Sequence, residues 1–146
     1  MKVTLMLADS AQVVAGKLYI LGGGWSMTGP KLAPFAIAGK IEIPVSEAKQ
    51  KHSLKLELLD ADSKPVLVPT PKGESPLVVS GEFELDHPPS LPKGISIDAP
   101  FAFSVKSVLL KPGRQYTWKL TIDSNTKEDW KVTFLTRSTG EKKPVT

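Results

Sequence analysis

The chain has no cysteine, which excludes a disulfide framework, a thiolate metal site and a cysteine nucleophile together. That lack fits a reducing compartment. Arginine is scarce too, confined to Arg114 and Arg137, and the lysines Lys2, Lys40, Lys55, Lys106, Lys119 and Lys131 fall singly rather than in a patch. The net charge of +4 therefore reads as solvated sheet faces, and no nucleic-acid partner is expected. No apolar run approaches the ~18 residues that cross a bilayer as a helix, so no membrane partner is expected. The stretch Met1–Ala8 carries one basic residue and is cut short by Asp9, too brief for the apolar segment of a secretion signal. These absences predict a soluble protein, not secreted through a cleavable signal, that is cytoplasmic or, if phage-encoded, part of a virion.

What is present points to strands. Thirteen prolines and 11 glycines sit in short clusters between apolar runs, as many turns joining many strands require. Inward positions Phe35, Ile37, Gly39, Ile41 and Ile43 alternate with Ala36, Ala38, Lys40 and Glu42. Leu54, Leu56 and Leu58 alternate with Lys55 and Glu57; Leu77, Val79, Gly81, Phe83 and Leu85 with Val78, Ser80, Glu82 and Glu84; and Tyr116, Trp118, Leu120 and Ile122 with Thr117, Lys119 and Thr121. Period two marks a strand with one face to bury. Weaker runs at 2–8, 17–21, 101–110 and 130–136 bring the expected count to about eight. Two packed antiparallel sheets satisfy so many one-sided strands. The predicted fold is all-β, a two-sheet antiparallel β-sandwich of immunoglobulin or fibronectin type, with one short helical connector at 44–51. A single domain is expected over residues 1–137, with 138–146 as a flexible tail.

Two stretches carry resemblances. The run Leu110-Lys111-Pro112-Gly113-Arg114-Gln115-Tyr116 resembles the tyrosine corner of fibronectin type III domains. There the leucine packs under the turn and the tyrosine hydroxyl returns to a backbone group a few residues upstream. The run from Leu7-Ala8-Asp9 through Gly16-Lys17-Leu18-Tyr19-Ile20-Leu21-Gly22-Gly23-Gly24-Trp25 is similar to an uncharacterised family of small all-β proteins from actinobacteria and their phages. That resemblance implies a bacterial or viral context and attaches no activity.

Candidate chemistry is thin. The triple glycine at 22–24 follows a strand but lacks the lysine and serine or threonine of a phosphate loop, and Met27 stands where a dinucleotide fingerprint needs glycine. Ser26 lies in Gly24-Trp25-Ser26-Met27-Thr28, one glycine short of a nucleophile elbow. His52 and His87, the two histidines, have no second ligand beside them in sequence. Asp60 and Asp62 share a turn, where carboxylates more often cap backbone N–H groups than hold calcium. Glu82 and Glu84 fall on the solvated face of one strand. No catalytic, cofactor or metal residue is therefore assigned, and the chain is not expected to be an enzyme.

Apolar residues outside the alternation are the candidate partner-binding residues. Trp25, Met27 and Leu32 lie in the greasy connector 22–34, and His87, Pro88, Pro89 and Leu91 in a proline-stiffened segment. Large apolar groups on loops anchor interfaces, although Trp25 would serve equally by capping one end of the core. The leading expectation is a structural or interaction module, such as an accessory component of a phage particle, with a protein partner or self-association. The other is binding of a small polar ligand or carbohydrate on Trp25.

Overall fold

The computed structural model describes residues 1–48, 50–85, 92 and 94–138. In it the alternating runs become β1 (Lys2–Val14), β2 (Lys17–Gly23), β3 (Met27–Thr28), β4 (Lys31–Leu32), β5 (Phe35–Pro44), β6 (His52–Leu59), β7 (Leu67–Thr70), β8 (Gly73–Pro76), β9 (Val78–Phe83), β10 (Ser96–Val105), β11 (Val108–Leu109), β12 (Gln115–Ile122) and β13 (Lys131–Thr136). The predicted connector is a single 3-10 turn at Val45–Glu47. The chain is all-β.

One sheet has the order β10-β5-β1-β2 and is antiparallel throughout. The other runs β3-β13-β12-β6-β9, antiparallel except for the short parallel pair β13–β3. Two small ribbons, β7-β8 and β11-β4, complete the set, and no sheet closes into a barrel. Leu7, Ile37, Ile41 and Ile43 from the first sheet share one buried cluster with Leu54, Leu56, Leu58, Trp118, Leu120 and Phe134 from the second. The inward positions are therefore the predicted ones, and each such side chain contributes roughly 1.5–3 kcal/mol through removal from water.

Gly39 is inward for a steric reason. Phe101 lies directly across from it on β10, and a Cβ at residue 39 would sit 2.5 Å from Phe101 Cζ and 2.5 Å from the Thr4 carbonyl oxygen. The ring can shift, but the carbonyl belongs to the ladder. Gly39→Ala should thus cost about 2 kcal/mol by overpacking, read as a lower urea midpoint. An unchanged midpoint would mean that the β1–β5 pair yields at no cost.

The greatest departure from expectation is β1, which does not stop at Ala8. Residues 2–8 pair with β5, and from Ser10 to Val14 the strand pairs with β2 alone. The hairpin closes on Ala15 and Gly16, both at positive φ (50° and 73°), the backbone that a two-residue type I′ turn demands. It then folds back over the outer face of its own sheet. β2 comes within 8 Å of β10, whereas three strand spacings in a flat sheet would separate them by about 14 Å. Gly22, at φ 60°, marks the bend, and Ile20 Cγ2 lies 2.6 Å from where a Gly23 Cβ would stand, with Met6 Sδ 3.3 Å away. Ala36 and Ala38, expected on a solvated face, are consequently buried. Small side chains there permit the close approach.

Candidate functional site

The connector from Gly22 to Pro34 gives two of its apolar side chains, Trp25 and Leu32, to the core. Trp25 packs edge-on against Phe35 (centroids 5.8 Å apart) and Phe134 (6.2 Å), and its indole N–H is buried with no acceptor among the described residues. Leu32 is in the core, so its side chain is not offered on the surface. Met27 is exposed, beside Leu135 on β13. A shallow hollow of about 300 Å³ between these elements is bordered by Trp25, Met27, Asp9 and Arg137. His87, Pro88, Pro89 and Leu91, and the tail from residue 139, lie outside the described residues.

The turn before β12 is held by a tyrosine of its own strand. Tyr116 is buried, and its hydroxyl accepts the Lys111 N–H at 3.0 Å. Asp60 caps its own turn, accepting the Asp62 and Lys64 N–H groups. Glu82 pairs with Lys51 at 3.0 Å on the surface.

Among the described residues, His52 at the start of β6 is the buried basic or acidic side chain. Its Nε2 donates to the Glu47 carbonyl at 2.8 Å and its Nδ1 meets Asp123 Oδ2 at 2.6 Å. A carbonyl and a carboxylate both accept, so the surroundings favour the protonated ring, with a proton on each nitrogen. Burial opposes that charge, but the hydrogen bonds to Asp123 and Glu47 outweigh it and raise the His52 pKa above its ordinary value. The same pair, with the Ser53 N–H bonding Asp123 Oδ1, lowers the Asp123 carboxyl below the usual range. Both ring nitrogens are engaged by the fold, so His52 acts as a clamp between two turns. It joins the 3-10 turn to the turn Asp123-Ser124, whose residues both adopt positive φ (51° and 66°). Among the described residues no three His, Asp or Glu side chains gather as a metal site, and no helix is long and apolar enough to cross a membrane.

The surface feature that the core does not absorb is the outward face of the β1–β2 hairpin. Leu18 and Ile20 are half-buried on its inner face together with Val13, itself 40% exposed, and alternate with Val14, Tyr19 and Leu21. The latter three are 48%, 53% and 72% exposed. Gln12 opposes Tyr19 and Ser10 opposes Leu21, leaving Lys17 as the charge on this face. Val14, Tyr19 and Leu21 thus form an apolar stripe on the outward face of the folded-over ribbon. The weak runs at 2–8 and 17–21 leave 9–16 without an expected strand, where Asp9, Ser10 and Gln12 are polar.

A model of a family of unknown function (DUF6941) matches residues 3–134. The chain belongs to that family. The match covers both sheets and the hairpin, so the DUF6941 unit is the whole two-sheet fold rather than a part of it. A search of curated proteins found no match.

Proposed function

We propose that this DUF6941 chain is an immunoglobulin-like β-sandwich acting as a non-enzymatic interaction or structural module, with the folded-over hairpin as its contact surface. Three features support the fold reading. The order β1-β5-β10 against β9-β6-β12-β13 follows the three-plus-four arrangement of fibronectin type III domains. Tyr116 stands at the start of the third strand of the larger set, where such domains carry the tyrosine corner. Side chains of both sheets interleave, with Phe35 6.3 Å from Trp118.

The interaction reading rests on one observation: Val14, Tyr19 and Leu21 stand in water on a ribbon that could have turned them inward. Burying such a stripe against a partner removes apolar area worth roughly 25 cal/mol per Å². The outer face of the second sheet is mixed in charge, with Lys119 opposite Glu57, which supports a protein partner over nucleic acid or membrane. The chain is cytoplasmic or incorporated in a larger particle, the phage context being what the amino-terminal resemblance implies. Carbohydrate binding on Trp25 has less support, since that ring is engaged by Phe35 and Phe134.

A photo-crosslinking residue in place of Val14, compared with one in place of Lys55 on the second sheet, tests the proposal in cells. Discrete adducts should form from position 14 and not from 55. Equal labelling, or none at 14, would sink the hairpin as the contact surface.

A further inference from the structure

We infer that the hairpin's partner is a second copy of this chain, joined edge to edge through β2 about a twofold axis at Tyr19; the inference builds on the contact-surface reading above. Free sheet edges are usually guarded by proline, charge or brevity. The other end strands of the two sheets obey this: β10 carries Pro100, β9 carries Glu82, and β3 has two residues. β2 does not. Between the turn at Ala15-Gly16 and the bend at Gly22 it presents Leu18-Tyr19-Ile20-Leu21, with Lys17 only at the end.

The hydrogen-bond phase makes this edge self-complementary. A two-residue turn makes Val14 and Lys17 a hydrogen-bonded pair, so Gln12 with Tyr19 and Ser10 with Leu21 also exchange bonds. Leu18 and Ile20 therefore direct their N–H and C=O groups outward. Antiparallel pairing centred on Tyr19 sets Leu18 against the partner's Ile20 and Ile20 against the partner's Leu18, so both outward residues of each copy are satisfied. Tyr19 then meets the partner's Tyr19 as a non-hydrogen-bonded pair, the closer kind, on the exposed face. Lys17 meets the partner's Leu21, laying its aliphatic stem on the most exposed residue of the stripe with no like charges opposed. A centre on Ile20 instead would enlist Gly22, which the bend has turned away. The other hairpin edge, β1 from Ser10 to Val14, would bring serine and glutamine together on that face.

A pairing of five residues per copy falls at the low end for specific association, below about 1,200 Å² in total, so a weak, concentration-dependent dimer is expected. The purified full-length chain should sediment as a concentration-dependent dimer. Because the chain has no cysteine, an introduced thiol is unambiguous: with diamide as oxidant, Tyr19→Cys should form a disulfide dimer at least about tenfold faster than Leu21→Cys alone, its Cα spacing in such a pair being suitable. Mixing Lys17→Cys with Leu21→Cys chains should restore fast cross-linking while leaving Tyr19 intact. A strict monomer at 0.5 mM, or Leu21→Cys cross-linking alone as fast as Tyr19→Cys, would overturn the inference. Adducts at position 14 in cells from a chain that stays monomeric would sink the dimer and leave the contact-surface reading standing.

Discussion

Trp118→Ala is expected to cost about 3–5 kcal/mol, a large part of the 5–15 kcal/mol that holds a domain folded. Trp118 is fully buried in β12, which lies between β13 and β6 in its sheet, and Phe35 reaches its ring from the opposite sheet. Truncation leaves a hole that neighbours on rigid ladders cannot fill, so the cavity adds to the lost transfer energy. With a urea slope of 1–3 kcal/mol per molar, the midpoint should fall by roughly 2 M. Leu109→Ala is the matched control. That leucine is 80% exposed, and its truncation should move stability by less than about 0.5 kcal/mol. Circular dichroism of the strand band measures both, and comparable losses would mean that the two sheets do not depend on Trp118 to close.

The contrast between these positions was legible in the sequence, since a period of two needs only neighbouring residues to declare itself. Ile37, Leu56, Trp118 and Phe134 were read as inward on that ground alone and are all buried. The same rule misread Ala36 and Ala38, because alternation describes one strand and cannot see a ribbon folding across its back. The hairpin hid for a related reason. Ala15-Gly16 makes a turn through backbone dihedrals that glycine accepts freely and alanine only under strain, whereas the recognised signals at such turns are asparagine and aspartate. Tyr116 was legible because its partner is five residues away. His52 was not, since Asp123 is 71 residues distant and reads as an ordinary turn aspartate until the sheet brings it to the ring.

That long-range pair gives the second large effect, and its pH dependence has a definite sign. His52 has a raised pKa in the fold, so the stability it lends is complete below its unfolded value of about 6.5 and is lost as pH rises through the folded value. Asp123 has a lowered pKa, so its contribution is present above about 3.9 and lost as pH falls through the folded value. Together they favour the fold most between about pH 4 and 6.5. His52→Ala removes a buried ring stacked 5.1 Å from Phe83 and two hydrogen bonds to charged or carbonyl oxygens, for a loss of about 3 kcal/mol at pH 5.5. The Asp123 carboxylate then keeps only the Ser53 N–H, so the Asp123-Ser124 turn should also exchange its amide hydrogens faster. As pH rises through the folded His52 pKa the ring loses one of its two donors, so the gap between wild type and variant should narrow. Urea midpoints of both proteins across that range decide the matter. A gap that stays constant or widens with pH would mean that the ring acts through its packing on Phe83 and not through its charge.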